Sequence, residues 1–188
     1  MTAKETLWPK AKVNKSEEIY RGKLFSFVTE DVTLPNGIRS KMAMVRHPGS
    51  TAIVPLRDNK TVVMTLQYRH AVEDYILEIP AGTMEPGESP GTCARRELEE
   101  ETGLKANEFI ELAQIHILPA YSNEKIYVYL ARDLTASEQN LDQDEILDVV
   151  EYPLDEVMQM IDKGRITDAL TILSIQRTWM HLQMKKPG

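Results

Sequence analysis

Three glutamates, Glu97, Glu100 and Glu101, stand in the run Arg96-Glu97-Leu98-Glu99-Glu100-Glu101-Thr102-Gly103-Leu104. At about 100° per residue, a helix through this run puts the three carboxylates within an arc of about 100°, on one face. Like charges at that spacing cost a few tenths of a kcal/mol per pair, unless a cation answers them. A hard divalent ion is the natural answer, and Mg²⁺ in particular accepts a few carboxylates while keeping waters and bridging to phosphate oxygens. A solvated acidic face is the bland reading, and the better one for a Glu-rich helix in isolation. The glycine loop ahead of the helix reverses that preference. Gly82 and Gly87 let the backbone fold back over the carboxylate face, where a carbonyl such as that of Ala81 completes a metal shell.

The elements that must hold this arrangement are punctuated in the sequence. Ser89 is a good N-cap, Pro90 suits the first helical position and Gly103 the residue past the end, which predicts a helix over Pro90 to Thr102. Upstream, Ala52 to Arg57 and Thr61 to Tyr68 flank Asp58-Asn59 and read as a hairpin. Tyr75 to Ile79 is a short buried-strand candidate, after which Pro80-Ala81-Gly82 opens a loop running to Ser89. Strands are expected at Phe109 to Ile117, Lys125 to Ala131 and Ile146 to Tyr152. A helical region begins after Pro153, breaks at Gly164 and resumes from Thr167 as a cap to about Leu182, with Leu170, Leu173 and Ile175 as core candidates. Nearer the start, Phe25 to Leu34 and Ile38 to Arg46 flank Pro35-Asn36-Gly37 as a second hairpin, and His47-Pro48-Gly49 breaks the chain. The expected organisation is a small N-terminal antiparallel β subdomain, residues 1–48, and a main α/β domain, residues 49–188, with a mixed sheet between helices.

Composition sets limits. The 188 residues suffice for one compact domain with a small appendage. No apolar run approaches the ~18 residues of a membrane span, and nothing near Met1 has the form of a signal peptide, so a cytoplasmic location and no membrane partner are expected. The single cysteine, Cys93, rules out an internal disulfide and reads as a packed helix residue. A net charge of −7 disfavours nucleic acid as a partner and means that a phosphate ester would need cations to enter the site.

From Gly82 the chain runs five residues to Glu88, seven more to Arg96, and on through Glu97, Glu100, Glu101, Gly103 and Leu104. This resembles the Nudix box at every fixed position. With average usage of ~7% Gly and ~6% for each charged residue, a chance match is on the order of 10⁻⁸. The resemblance implies the Nudix α/β/α sandwich, with Ala81 O, Glu97 and Glu101 as ligands of Mg²⁺ (Mn²⁺ as substitute) and Glu100 as a further ligand or water-positioning group. Gly82, Glu88, Arg96 and Gly103 are then structural. Arg96 and Glu88 read as scaffolding, since an Arg can bond a loop carboxylate bidentately and fix the turn relative to the helix. Arg95 and Glu99 read as a solvated i, i+4 pair on the far side.

Outside the box, Leu66-Gln67-Tyr68-Arg69, Leu77-Glu78-Ile79-Pro80-Ala81-Gly82 and Pro119 resemble the ADP-ribose pyrophosphatase branch, as does Gly164-Arg165-Ile166-Thr167-Asp168-Ala169. The resemblance spans about Tyr20 to Arg177. It implies hydrolysis of ADP-ribose to AMP and ribose 5-phosphate, and a homodimer built through the N-terminal subdomain. Arg69, at the end of a strand candidate, reads either as a clamp whose fork pairs with diphosphate oxygens or as a surface Arg on a strand end, and Glu78 is a substrate-binding candidate beside it. The loop after Pro119, Ala120-Tyr121-Ser122-Asn123-Glu124, departs from the branch. Another nucleotide sugar such as GDP-mannose, or a dinucleoside polyphosphate, is thus an alternative substrate. A catalytically silent nucleotide-binding module is the alternative from another class. Glu124, in a loop free to approach after binding, is the expected catalytic base, with Glu100 as its rival. Trp8, Tyr20, Phe25 and Phe27 read as core or subunit-contact residues ahead of a base-stacking platform.

Overall fold

The computed structural model describes residues 9–143 and 145–184, and Trp8 lies outside them. Two units separate. One reaches to Pro48 and takes in Leu118–Glu124, and the other comprises Gly49–Ile117 and the chain from Lys125 onward.

The smaller unit is a three-stranded antiparallel sheet ordered β1-β2-β3, with β1 at Lys12–Arg21, β2 at Ser26–Thr33 and β3 at Arg39–Arg46. The β2–β3 hairpin is where the Pro35-Asn36-Gly37 turn places it, Gly37 taking φ 84°. The first strand was not expected. Its residues, Lys-Val-Asn-Lys-Ser-Glu-Glu-Ile-Tyr-Arg, carry no apolar face, and all ten are exposed. Tyr20, Phe25 and Phe27 are exposed as well, so they are not core of this chain.

The larger unit holds a seven-stranded mixed sheet along the path β10-β5-β4-β9-β8, with β6 on β5 and β7 on β4. Its strands are β4 (Ser50–Arg57), β5 (Thr61–Arg69), β6 (Asp74–Glu78), β7 (Ala81–Thr83), β8 (Leu104–Ile115), β9 (Ile126–Ala136) and β10 (Leu147–Pro153). β4 runs parallel to β9, and the other pairs are antiparallel. The helices are α1 (Pro90–Thr102), α2 (Leu154–Asp162) and α3 (Ala169–Met184).

Strand alternation divides the core between the two faces. Ala52, Val54 and Leu56 of β4 cluster with Val157 and Met160 of α2 and Ile175 of α3, whereas Ile53 joins Ala94 and Leu98 of α1. Slipping β4 by one residue would exchange these sets, so burial on both faces fixes its register. Leu98 is fully buried, and cutting it to Ala would cost about 2–5 kcal/mol.

Several boundaries differ from the sequence reading for local reasons. The β4–β5 turn is as expected, with Asp58 and Asn59 both left-handed at φ 52° and 56°. The two strands pair only at Leu56–Val62 and Arg57–Thr61, because β6 then takes that edge of β5 and β7 takes that edge of β4. The supposed loop from Pro80 contains a short strand, β7. β8 begins at Leu104, directly after the left-handed Gly103, and not at Phe109. α3 is capped by Asp168 and not Thr167, since Asp168 Oδ2 accepts the Thr171 amide at 2.7 Å.

Candidate active site

α1 forms as its punctuation dictates. The Ser89 hydroxyl accepts the Thr92 amide at 3.2 Å, Pro90 opens the first turn, and Gly103 closes the helix at φ 64° with its amide on Glu99 O at 2.8 Å. The helix buries Cys93, Ala94 and Leu98 against the sheet, which turns Glu97 and Glu101 toward β7. Both carboxylates are buried. Glu101 Oε2 accepts the Ala81 amide at 3.2 Å. Glu97 lies under Gly82 so closely that a Cβ added there would stand 2.0 Å from its Cδ. Glycine at 82 is therefore needed for close approach of backbone to carboxylate and not for an unusual φ.

Arg96 binds more groups than the loop carboxylate expected of it. Its Nε and Nη2 each donate to Glu88 at 3.0 Å, and Nη2 reaches Thr83 O at 3.1 Å. Its Nη1 donates to Glu97 Oε1 at 2.7 Å and Glu100 Oε2 at 2.9 Å. One guanidinium thus ties the loop before α1 to two of the three glutamates. Arg95 and Glu99 do not pair with each other. Arg95 sits over the Phe109 ring at 4.1 Å, while Glu99 accepts from Ser137 Oγ at 2.6 Å and pairs with Lys105 at 2.9 Å.

The electrostatics describe an acidic site short of positive charge. Burial raises Glu97 from 4.5 to about 7 against the pull of Arg96, with Glu100 and Glu145 adding to the rise. Burial, then the charges of Glu97 and Glu145, pushes Glu101 well above the ordinary carboxylate range, although the Ala81 amide and Arg69 draw it down. Glu88 is held low by its bond to Arg96. Cys93, packed against Thr51 Oγ1 at 3.3 Å, is pushed up to about 12 by burial and is no nucleophile.

Among the described residues, no three His, Cys, Asp or Glu side chains converge as a finished metal cage. The donor set nevertheless suits a hard divalent ion. Two buried carboxylates face a backbone segment that approaches without a Cβ between, and their raised proton affinity marks a site favouring added positive charge. Waters and substrate oxygens complete such a shell.

The NUDIX domain family profile matches residues 46–172. The chain belongs to the Nudix family. It is 41% identical over 167 residues to a methanol dehydrogenase activator of Bacillus methanolicus, covering 88% of this chain and 90% of that one. It is 38% identical over 172 residues to an ADP-ribose pyrophosphatase of Bacillus subtilis, covering 90% and 91%. A crystal structure of an ADP compounds hydrolase superposes with TM-score 0.81 at 26% identity, covering 94% of this chain and 96% of that one.

The fold thus gathers Ala81 and the Nudix-box residues Gly82, Glu88, Arg96, Glu97, Glu100, Glu101 and Gly103 within one unit. Arg69 and Glu78 are in the same unit, joined by bonds from Nε at 3.0 and 3.2 Å and from Nη2 at 2.6 Å. Burial works against the Arg69 charge, but Glu78 more than offsets it and holds the guanidinium protonated. Glu124 belongs to the smaller unit, where its amide donates to Ser122 Oγ and its carboxylate lies 3.6 Å from His47 Nδ1. Sequence reasoning missed Glu145, whose charge bears on both Glu97 and Glu101. It follows Asp142 in a loop that reads as solvated, and only tertiary placement distinguishes it. The roles of Asp168 and Thr171 were missed too, although Asp ahead of an apolar-periodic run is a legible N-cap.

Proposed function

We propose that this Nudix chain is a hydrolase that cleaves the pyrophosphate bond of a nucleoside diphosphate sugar, ADP-ribose first, giving AMP and ribose 5-phosphate. The observation that carries the reading is the pair of buried carboxylates, Glu97 and Glu101, beneath the Ala81-Gly82 backbone. The named activities of the Bacillus subtilis relative and of the superposed hydrolase support the substrate class. Water adds across the P–O–P bridge, so one phosphate takes the hydroxyl and the other leaves with the bridging oxygen.

Glu97, Glu101 and the Ala81 carbonyl would hold Mg²⁺ or Mn²⁺, with Glu100 beside them. When bound, the cation neutralises the diphosphate and stabilises charge on the leaving phosphate. Arg96 holds Glu97 and Glu100 oriented toward the loop. Arg69, held by Glu78 through Nε and Nη2, would offer its remaining N–H donors to phosphate oxygens.

For the proton acceptor, the sequence reads Glu124, in a loop able to close after binding, with Glu100 on α1 as its rival. Glu145 is a further candidate, in the same unit as the metal carboxylates and with a charge that bears on them. Glu124→Gln, Glu100→Gln and Glu145→Gln separate the three: the true base loses about 10²- to 10⁴-fold in kcat with Mg²⁺ affinity nearly unchanged, whereas loss of a ligand weakens the Mg²⁺ titration.

The test of function is a substrate panel of ADP-ribose, GDP-mannose and a dinucleoside polyphosphate with Mg²⁺, Mn²⁺ or chelator, with products weighed after reaction in ¹⁸O water. Binding without turnover of any of them would leave a nucleotide-binding module. The likeness to the methanol dehydrogenase activator favours one further arm, the rate of an alcohol dehydrogenase with and without this protein.

A further inference from the structure

Residues 78–81 carry the chain from β6 into β7, and their peptide groups are met one after another by partners in different elements. The Glu78 carbonyl accepts from Thr65 Oγ1 at 3.5 Å, and the Ile79 amide donates to Thr171 Oγ1 at 3.1 Å. The Pro80 carbonyl accepts from the Ile53 amide at 2.8 Å, and the Ala81 amide donates to Glu101 Oε2 at 3.2 Å. Thr65 and Ile53 belong to the sheet and Glu101 to α1. Thr171 comes from α3, 92 positions further along the chain. It is fully buried, and its own amide is fixed on the Asp168 cap at 2.7 Å, so the helix start presents the hydroxyl at a set place. Ile79 is buried too, which leaves its amide no water to turn to if that hydroxyl is lost.

We propose that Thr171 is a positioning residue for the metal site: its hydroxyl anchors the Ile79 peptide and thereby the Ala81 backbone that faces Glu101. The inference rests on the reading of Ala81, Glu97 and Glu101 as the metal-holding set. Pro80, the sole residue between Ile79 and Ala81, has a ring-locked φ near −65°, which leaves one soft dihedral fewer to absorb a shift at Ile79 before it reaches Ala81.

The experiment is Mn²⁺ binding to the metal-free, full-length protein without substrate, read by electron paramagnetic resonance well below the melting temperature. Thr171→Val keeps the shape and removes the acceptor, and it should weaken Mn²⁺ binding about 10-fold or more, the scale of losing an outer support of a metal site. Thr171→Ser restores the hydroxyl and should bind within about twofold of the parent. Hydrogen exchange on the metal-free protein should show the Ile79 amide opening faster in the valine variant and not in the serine variant. Should the valine variant not fold, Thr171→Cys replaces it. Sulfur is a weak acceptor, so its affinity should fall below that of the serine variant, and equal affinity would overturn the proposal. Glu101→Gln is run beside them. If it loses Mn²⁺ while Thr171→Val binds like the parent, the positioning role is wrong and the metal site stands. If Glu101→Gln also binds like the parent, the metal-site reading falls, and the inference with it.

Discussion

Glu101 owes its proposed chemistry to surroundings that make a lone negative charge expensive: it is buried, its neighbour Glu97 is an acid, and its visible compensation is one amide and the more distant Arg69. Glu101→Gln keeps the shape and an acceptor for the Ala81 amide, so the fold should survive. Turnover should fall at least about 10²-fold, the scale of losing charge stabilisation at a transferring phosphoryl group. Normal activity with an unchanged Mg²⁺ titration would remove Glu101 from the ligand set. A pH dependence follows from Glu97, raised from 4.5 to about 7 in the folded chain. A carboxyl whose folded value is raised contributes stability that is fully present below the unfolded value and lost as pH climbs through the folded one. Metal-free protein should therefore lose up to about 3 kcal/mol from this group between pH 4.5 and 8. Bound Mg²⁺ offsets the loss, so the rise in melting temperature on adding Mg²⁺ should be small at pH 5 and grow toward pH 8. Glu97→Gln should flatten that growth. A Mg²⁺ effect of equal size at pH 5 and pH 8 would contradict the argument.

At the scale of elements, the meeting of α1 with β7 is set by a missing side chain. Gly82→Ala would drive a methyl into the Glu97 carboxylate, and because that group is the end of a flexible chain it would move while the backbone stays. The variant should fold with a melting temperature close to the parent's yet bind Mg²⁺ about 10-fold more weakly or worse, as calorimetric titration would show. Unchanged affinity would mean that Glu97 does not need to lie against this backbone. α1 was legible in sequence because its start, first turn and end each carry a residue with a single preferred place, Ser89, Pro90 and Gly103. β1 was not, because ten polar-dominated residues exposed on both faces have no alternation to read. β7 is three residues long and is recruited by the β4 edge. The same limit governed the site. Residues set by local spacing, Glu97, Glu100, Glu101 and Arg96, could be named from the chain. Thr171 and Glu145 gain their meaning only from contacts or fields formed by distant segments.

For the whole molecule, the smaller unit poses a problem that a second copy of the chain would solve. β1 is an edge strand, and every one of its residues is exposed, including Val13, Ile19 and Tyr20. Leu24 and Phe25, in the β1–β2 connection, are exposed as well. An edge strand with exposed apolar side chains invites pairing, and symmetric association of two identical units satisfies it in closed form. A homodimer is therefore expected, with a stable interface of about 1,200–2,000 Å² in total. Light scattering at micromolar concentration should give twice the 21.4 kDa chain mass. Ile19→Lys combined with Tyr20→Glu places charges on this exposed strand, where surface substitutions shift stability by only about 0.5 kcal/mol each. The double variant should run as a folded monomer. If the dimer also completes the substrate site, that monomer should keep its Mn²⁺ affinity while its KM for ADP-ribose rises. A parent protein that is monomeric and fully active would sink the dimer. A dissociated variant with unchanged KM would leave the dimer as an assembly device that contributes nothing to the site.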